Sequence, residues 1–380
     1  PRAPAGGGRD AVTPLGREIA CLVAAEGPIS VERYMALCLG HPVHGYYMTR
    51  DPFGAGGDFV TAPEVSQMFG ELVGLWCVDT WQRMGAPAPF RLVELGPGRG
   101  TLMADALRAA RLVPAFLDAA QVHLVETSPA LRARQAATLE TSGRPVAWHA
   151  AVEEVPDGPA IVVANEFFDA LPLRQFVRTP RGWCERLVGL DAAGALAFGL
   201  AGEPERALRM PGPDGAVLEA AGASARVLAA LAARIAIDYG HAGGSFGDTL
   251  QAVRRHAFVD VLADPGEADL TVHVDFAALA RAAAGSDVLV HGPVTQGAFL
   301  AALGLAQRAA ALARGAGPDG AAAVEAARRR LGEAGDGGMG DLFKVMAVTD
   351  GTVASAAGFD TPGRRPDGGP SRRIAQGDGA

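Results

Sequence analysis

The sequence predicts an α/β protein on a mainly parallel sheet, with helical additions near both ends. Two observations carry that prediction. A strand, a glycine turn and a helix occupy residues 90–108, and beyond them apolar runs alternate with helical stretches. Several of those runs end abruptly in acidic residues, as strands do when their carboxyl ends face a ligand.

Taken in order, residues 13–40 read as helix, with caps at Thr13, followed by Pro14, and at Ser30. Gly27-Pro28 breaks them apart. Residues 41–63 form a long loop rich in glycine and aromatics, and loops of that length are functional or disordered. Tyr46, Tyr47, Phe53 and Phe59 argue for order. A long helix is predicted over 63–82. Strands follow at 91–95, 122–126, 160–165 and 235–239, with two or three more within 172–202. Helices at 296–314 and 321–331 precede a closing strand at 342–348. The expected segments are a disordered start (1–12), a helical cap with a covering loop (13–84) and a core with inserted strands (85–289). A helical addition (290–340), the closing strand (341–350) and a mostly disordered tail (351–380) complete the chain.

Composition excludes several classes. A formal charge of -8 disfavours a phosphate backbone as partner, so no nucleic acid is expected. No apolar run approaches the roughly 20 residues of a spanning helix, so no membrane insertion is expected. The four cysteines lack a C-x-x-C pair, which fits free thiols and a cytoplasmic location. The histidines share no ligand spacing, and no metal is assigned.

Glu94-Leu95-Gly96-Pro97-Gly98-Arg99-Gly100 is the most informative stretch. Glycine at alternate positions lets the backbone turn tightly and approach a ligand closely. A dinucleotide site wants G-x-G-x-x-G, whereas here the third glycine comes one residue early. Glu94 would repel a pyrophosphate but suit a cation. S-adenosylmethionine carries an ammonium and a sulfonium and no phosphate. Glu126, at the end of the next strand, is placed to accept both ribose hydroxyls. A glycine-rich turn with no ligand is the plainer alternative.

The second informative stretch runs from Ala160 to Pro172, where an apolar strand ends in Asn165-Glu166-Phe167-Phe168-Asp169. This order resembles the Asn-Pro-Pro-Tyr motif of amino-methyltransferases in geometry only. A carboxylate at Glu166 can pair with a guanidinium in a bidentate fork. Structural roles, with Phe167 and Phe168 in the core and Glu166 capping a helix, remain the alternative. Asp238-Tyr239-Gly240 ends another strand in the same way, with an Asx turn as its plain reading.

Together with Gly45-Tyr46-Tyr47, the run from Gly57 to Glu64, and the run from Met339 to Val345, these motifs resemble the MidA family. The similarity spans about residues 14–350. It implies a Rossmann-like class I methyltransferase fold and methyl transfer from S-adenosyl-L-methionine to a protein arginine, leaving S-adenosyl-L-homocysteine. The family includes a mitochondrial factor that methylates a respiratory complex I subunit, so the implied partner is a protein substrate such as that subunit. A homodimer stays open.

Carried over by this resemblance, Gly96, Pro97, Gly98 and Gly100 approach the cofactor with Glu94, Asn165 and Glu126. Gly57, Asp58, Phe59 and Thr61 fold over its methionine end. Glu166, Asn165 and Asp169 become the expected catalytic residues. Tyr46, Tyr47, Phe167, Phe168, Asp238 and Tyr239 become the expected substrate-binding ones. A small-molecule O- or N-methyltransferase and a non-catalytic assembly chaperone are the competing readings. The resemblance leads to expect a glycine-bearing linker before residue 235, and none is present.

Overall fold

The computed structural model describes residues 12–50, 58, 60–229, 233–243, 246–283, 288–360 and 363–364. Most of the start and much of the tail expected to be disordered lie outside them. The chain divides into two compact units. These cut across the expected segments. Residues 1–50, 171–220 and 246–272 form one unit; residues 51–170, 221–245 and 273–380 form the other.

In the first unit, helix Pro14–Glu26 begins where Thr13 Oγ1 accepts from Gly16 N, and helix Val31–Gly40 where Ser30 Oγ accepts from Arg33 N. Strands Arg174–Thr179 and Gly182–Leu190, separated by two residues, pair antiparallel rather than through a helical crossover. With Ile29–Ser30, Leu196–Leu200 and Val217–Ala220 they form a five-stranded sheet. A three-stranded sheet joins Gln251–Arg254, Ala257–Val259 and Asp269–Thr271.

The second unit carries the glycine motif. Its main strands are β1 (Phe90–Leu95), β2 (Ala120–Val125), β3 (Val146–His149), β4 (Ala160–Asn165), β5 (Ala233–His241), β6 (Val288–Thr295) and β7 (Phe343–Asp350). They are hydrogen-bonded in the order 3-2-1-4-5-7-6. β7 runs antiparallel to both β5 and β6, while the pairs from β3 to β5 are parallel. β3 and β6 escape a reading of apolar runs. The first is short and only half-buried, and the second carries His291, Gly292 and Pro293.

The strand order reverses between β1 and β4, and such a switch point opens a crevice at the carboxyl ends of the strands. Helices α1 (Ala62–Val65), α2 (Gln67–Arg83) and α3 (Thr101–Ala110) pack beside that crevice. The long helix predicted over 63–82 is broken at Ser66, whose extended backbone and Oγ cap α2. Gly70 and Gly74 let α2 lie against α3, since an added Cβ would stand 2.6 Å from Asp105 Cβ and 2.5 Å from Ala106 Cα. The buried Glu71 carboxylate ties Arg108 of α3 to Arg308 of helix Leu305–Arg314. Trp76, Phe69, Phe90 and Phe116 fill the core behind. Residues 351–360, expected to be disordered, are packed: Val353 and Ala356 are buried, and the Phe359 ring meets Phe299. Among the described residues no helix is long and apolar enough to cross a membrane.

Candidate active site

Two loops leave the sheet at the switch point. The first, residues 96–100, follows β1. Gly96, Gly98 and Gly100 all take positive φ (58°, 52° and 80°), a region in which a Cβ is strained. Gly96 N donates to Val125 O and Gly100 N to Pro97 O, which closes the turn. Gly100 in left-handed conformation starts α3. One side chain of α1 braces the turn from outside. Glu64 of α1 accepts from Thr101 Oγ1 at 2.6 Å and pairs with Arg99 at 3.5 Å.

Beneath the turn lies Glu94, which is buried. Burial pushes its carboxyl up to about 8, opposed by the Met103 N–H at the start of α3. Its Oε2 has no hydrogen-bond partner among the described residues. Glu126, past the end of β2, accepts from Ser128 N at 2.8 Å and from Gln135 Nε2 at 3.2 Å. Burial raises its carboxyl too, while Ser128, Gln135, Thr127 and Arg132 pull it back. Gln135 lies on helix α4 (Pro129–Leu139), fully buried, and also donates to Gly98 O at 2.9 Å.

The second loop follows β4. Glu166 takes φ 50° without being glycine, a strained conformation for a side chain of that size. Three things hold it there. Glu166 N donates to Ile237 O, and its Oε1 accepts from Ala62 N at 2.9 Å and Asn165 Nδ2 at 3.2 Å. Asp238 Oδ2 collects the backbone N–H groups of Phe167, Phe168 and Asp169 at 3.2, 2.9 and 3.2 Å. Its Oδ1 accepts from Tyr239 N. Asp238, expected on the substrate side, therefore turns both oxygens to its own chain and shapes the loop.

Burial pushes Glu166 up to about 8 and Asp169 up to about 6. Asp238 is raised well above the ordinary range by burial and by its neighbours Asp169 and Glu166. Three carboxylates so close together do not all ionise readily without a cation among them. Asp169 shares a hydrogen bond with Tyr239, yet its Oδ1 and Asn165 Oδ1 are buried without partners among the described residues.

The remaining expected residues are distributed as follows. Pro97 and Thr61 are buried, Thr61 at the start of α1. Asp58 is half-buried, and Gly57 and Phe59 lie outside the described residues. Phe167 covers Gly96, and Phe168 packs edge-on against it in the core. Tyr239 meets His273 and Phe343 edge-on. Tyr46 and Tyr47 belong to the first unit, where Tyr46 is buried and Tyr47 donates to Asp269 at 2.8 Å. Glu64, Gln135 and the Ala62 N–H escape sequence reasoning. Only Gln135 leaves a trace, a polar residue four positions from both Leu131 and Leu139 on the buried face of a helix.

This donor and acceptor set fits an adenosylmethionine. Buried oxygens of Glu94, Asn165 and Asp169 that have no partner among the described residues suit a cation, Glu126 stands at the second strand end, and the glycine turn admits close backbone approach. The comparisons agree. The profile of a family described as S-adenosyl-L-methionine-dependent methyltransferases matches residues 72–294. A mitochondrial protein arginine methyltransferase NDUFAF7 of Danio rerio is 40% identical over 326 residues, covering 77% of this chain and 77% of that one. Its Homo sapiens counterpart is 38% identical over 330 residues, covering 77% and 74%. A Burkholderia thailandensis protein crystallised with S-adenosyl-homocysteine has TM-score 0.80 at 31% identity, covering 92% of this chain and 95% of its own. The relatives' names place them in mitochondria, so the cytoplasmic expectation finds no support there. With 40% identity to a relative over 77% of its length and a family profile matching residues 72–294, the chain belongs to the MidA family of S-adenosyl-L-methionine-dependent methyltransferases.

Proposed function

We propose that this enzyme transfers the methyl group to a guanidinium nitrogen of an arginine in a protein. The observation that carries the reading is the acidic loop: half-buried Glu166 and buried Asp169 and Asp238 cluster at the strand ends with all three carboxyls displaced upward. A neutral or anionic acceptor gains nothing from such a cluster, whereas a planar cation with several N–H donors relieves it. The names of the relatives point the same way.

When bound, S-adenosylmethionine supplies a methyl group already activated on a sulfonium. The chain then has to align the acceptor nitrogen, exclude water and take a proton. Glu166 is fixed in place because Ala62 N and Asn165 Nδ2 occupy its Oε1, which leaves Oε2 to face the guanidinium. Asp169 Oδ1 offers a second acceptor. A guanidinium is a poor nucleophile because its lone pair is delocalised, and carboxylates on its other nitrogens localise charge there. Glu166, at about 8, is once ionised a stronger base than an ordinary glutamate and better matched to taking the proton.

The test is transfer of labelled methyl from S-adenosylmethionine into a cell lysate, followed by acid hydrolysis of the labelled protein. Label recovered as methylarginine supports the reading; label confined to small molecules overturns it. The family resemblance makes a complex I subunit the first purified acceptor to try.

A further inference from the structure

We propose that Gln135 is a positioning residue that locks the glycine turn to Glu126, so that both halves of the nucleoside cradle move as one. The inference rests on the reading that this turn and this carboxylate hold adenosylmethionine.

The geometry uses both donors and the acceptor of a buried amide. Gln135 is fully buried, and its Nε2 divides between two acceptors on different elements. One is Gly98 O in the turn, at 2.9 Å; the other is Glu126 Oε2, at 3.2 Å. Its Oε1 accepts from Trp148 Nε1 at 2.9 Å, on β3. The chemistry fixes the amide orientation without ambiguity. An indole N–H only donates, and a carbonyl and a carboxylate only accept. A flipped amide would set oxygen against oxygen twice and N–H against N–H once. Trp148 therefore orients Gln135, and Gln135 supplies a donor to each side of the cradle.

The turn depends on outside support at this point. Gly96, Gly98 and Gly100 all sit at positive φ, which a glycine adopts readily and also leaves readily. Hydrogen bonds from Gly96 N to Val125 O and from Gly100 N to Pro97 O secure the two ends of the turn. Gln135 holds the carbonyl of Gly98, in its middle. An added Cβ on Gly100 would stand 3.4 Å from Gln135 Cα, so α4 lies directly against the turn. Glu126 is likewise oriented, with Ser128 N on Oε1 and Gln135 on Oε2.

Gln135→Met keeps the length of the side chain and removes both donors. Calorimetry of S-adenosylhomocysteine binding should show about a tenfold weaker affinity, the scale of one lost bond to a charged group. KM for the methyl donor should rise in step. The kcat at saturating donor and the KM for the acceptor protein should stay within about twofold. A merely structural role would lower thermal stability and active fraction and leave the donor KM unchanged.

A second readout is pH. Glu126 binds hydroxyl donors as the ionised form, so affinity falls as pH drops through its pKa. Gln135 holds that pKa down, alongside Ser128, Thr127 and the charge of Arg132. In Gln135→Met the acid limb of the binding profile should therefore move to higher pH. If Gln135→Met folds poorly, Gln135→Glu retains an acceptor for Trp148 and sets an oxygen against Glu126 and Gly98, and should weaken binding at least as much. Glu126→Gln, measured in parallel, separates the two layers. Weakened binding in Glu126→Gln with unchanged affinity in both Gln135 variants overturns the proposal alone. Unchanged affinity in Glu126→Gln overturns the cradle reading and the proposal with it.

Discussion

The loop after β1 bends through three glycines with φ between 52° and 80°, whereas the loop after β4 bends through a glutamate at φ 50°. Glycine reaches that region at little cost, but a glutamate there is strained by about 1–3 kcal/mol. The first loop therefore needs contacts only to fix a conformation its glycines adopt without strain, as Gln135 does at Gly98 O. The second is held by partners far away in sequence: Asp238 on three backbone N–H groups, Ile237 O on Glu166 N, and Ala62 N on the Glu166 carboxylate. The difference teaches where each kind of work is done. A cofactor cradle has to be open and smooth, and small residues provide that. A group that handles a proton has to be aimed, and aiming requires contacts strong enough to hold a strained residue.

The sharpest way to break that contrast is Glu166→Gln. Glutamine preserves the shape and the contact with Ala62 but accepts no proton. We expect kcat to fall about 10³-fold, within the range for removing a general base. Affinity for S-adenosylhomocysteine should stay within about threefold, because the glycine turn is untouched. In the wild type, kcat/KM should climb between pH 7 and pH 9, since Glu166 sheds its proton near 8. That limb should vanish in the variant. Turnover above a tenth of wild type would strip Glu166 of its role and leave the two loops chemically alike.

A smaller effect probes how independent the loops are. A Cβ on Gly96 would stand 2.8 Å from Phe167 Cδ2, so the two loops touch at this point. Gly96→Ala should weaken S-adenosylhomocysteine binding about 30-fold, through the clash and the positive φ together. Phe167→Ala relieves only the clash. The double variant should recover at least about threefold of the loss, and the non-additivity in a calorimetric cycle measures the contact. Additive losses would mean that the loops act separately.

The same contrast explains what the sequence discloses. Gly96, Gly98, Gly100, Glu94 and Glu126 are legible because local spacing, strand ends and glycine conformations act within a few residues. The parallel core strands are legible for the same reason, as runs buried on both faces. Asn165 to Asp169 announce themselves as polar residues at a strand end. What stays hidden is how the loop is held. Asp238 lies about seventy residues from the amides it collects, and the Ala62 N–H about a hundred from Glu166. Gln135 and Glu64 are ordinary helix residues until the fold brings Gly98, Arg99 and Thr101 against them. The break at Ser66 is concealed by an apolar pattern that continues across it. The two-unit division is concealed as well, because the first unit is assembled from three separate stretches of chain.

The smallest effect on function concerns Glu94, the carboxyl beneath the glycine turn, and here the sign is worked out. Its folded value is about 8 against an ordinary 4.5, so between those limits the folded protein holds a proton that the unfolded chain has released. Stability from this group is full below about 4.5, declines as pH rises toward 8, and is flat above it. Glu94→Gln keeps a neutral side chain at every pH. The ligand-free variant should match the wild type near pH 5 and exceed it by about 4 kcal/mol near pH 9, read from denaturant melts. Its affinity for S-adenosylmethionine should fall about fivefold, because a carboxylate no longer faces the cation. Loss for the uncharged-sulfur product should be smaller, since it lacks the sulfonium. Parallel stability curves for the two proteins across this range would show that Glu94 is ionised without its ligand. The cradle would then carry a standing negative charge before its cofactor arrives, and burial of Glu94 would cost the ligand-free fold nothing that depends on pH.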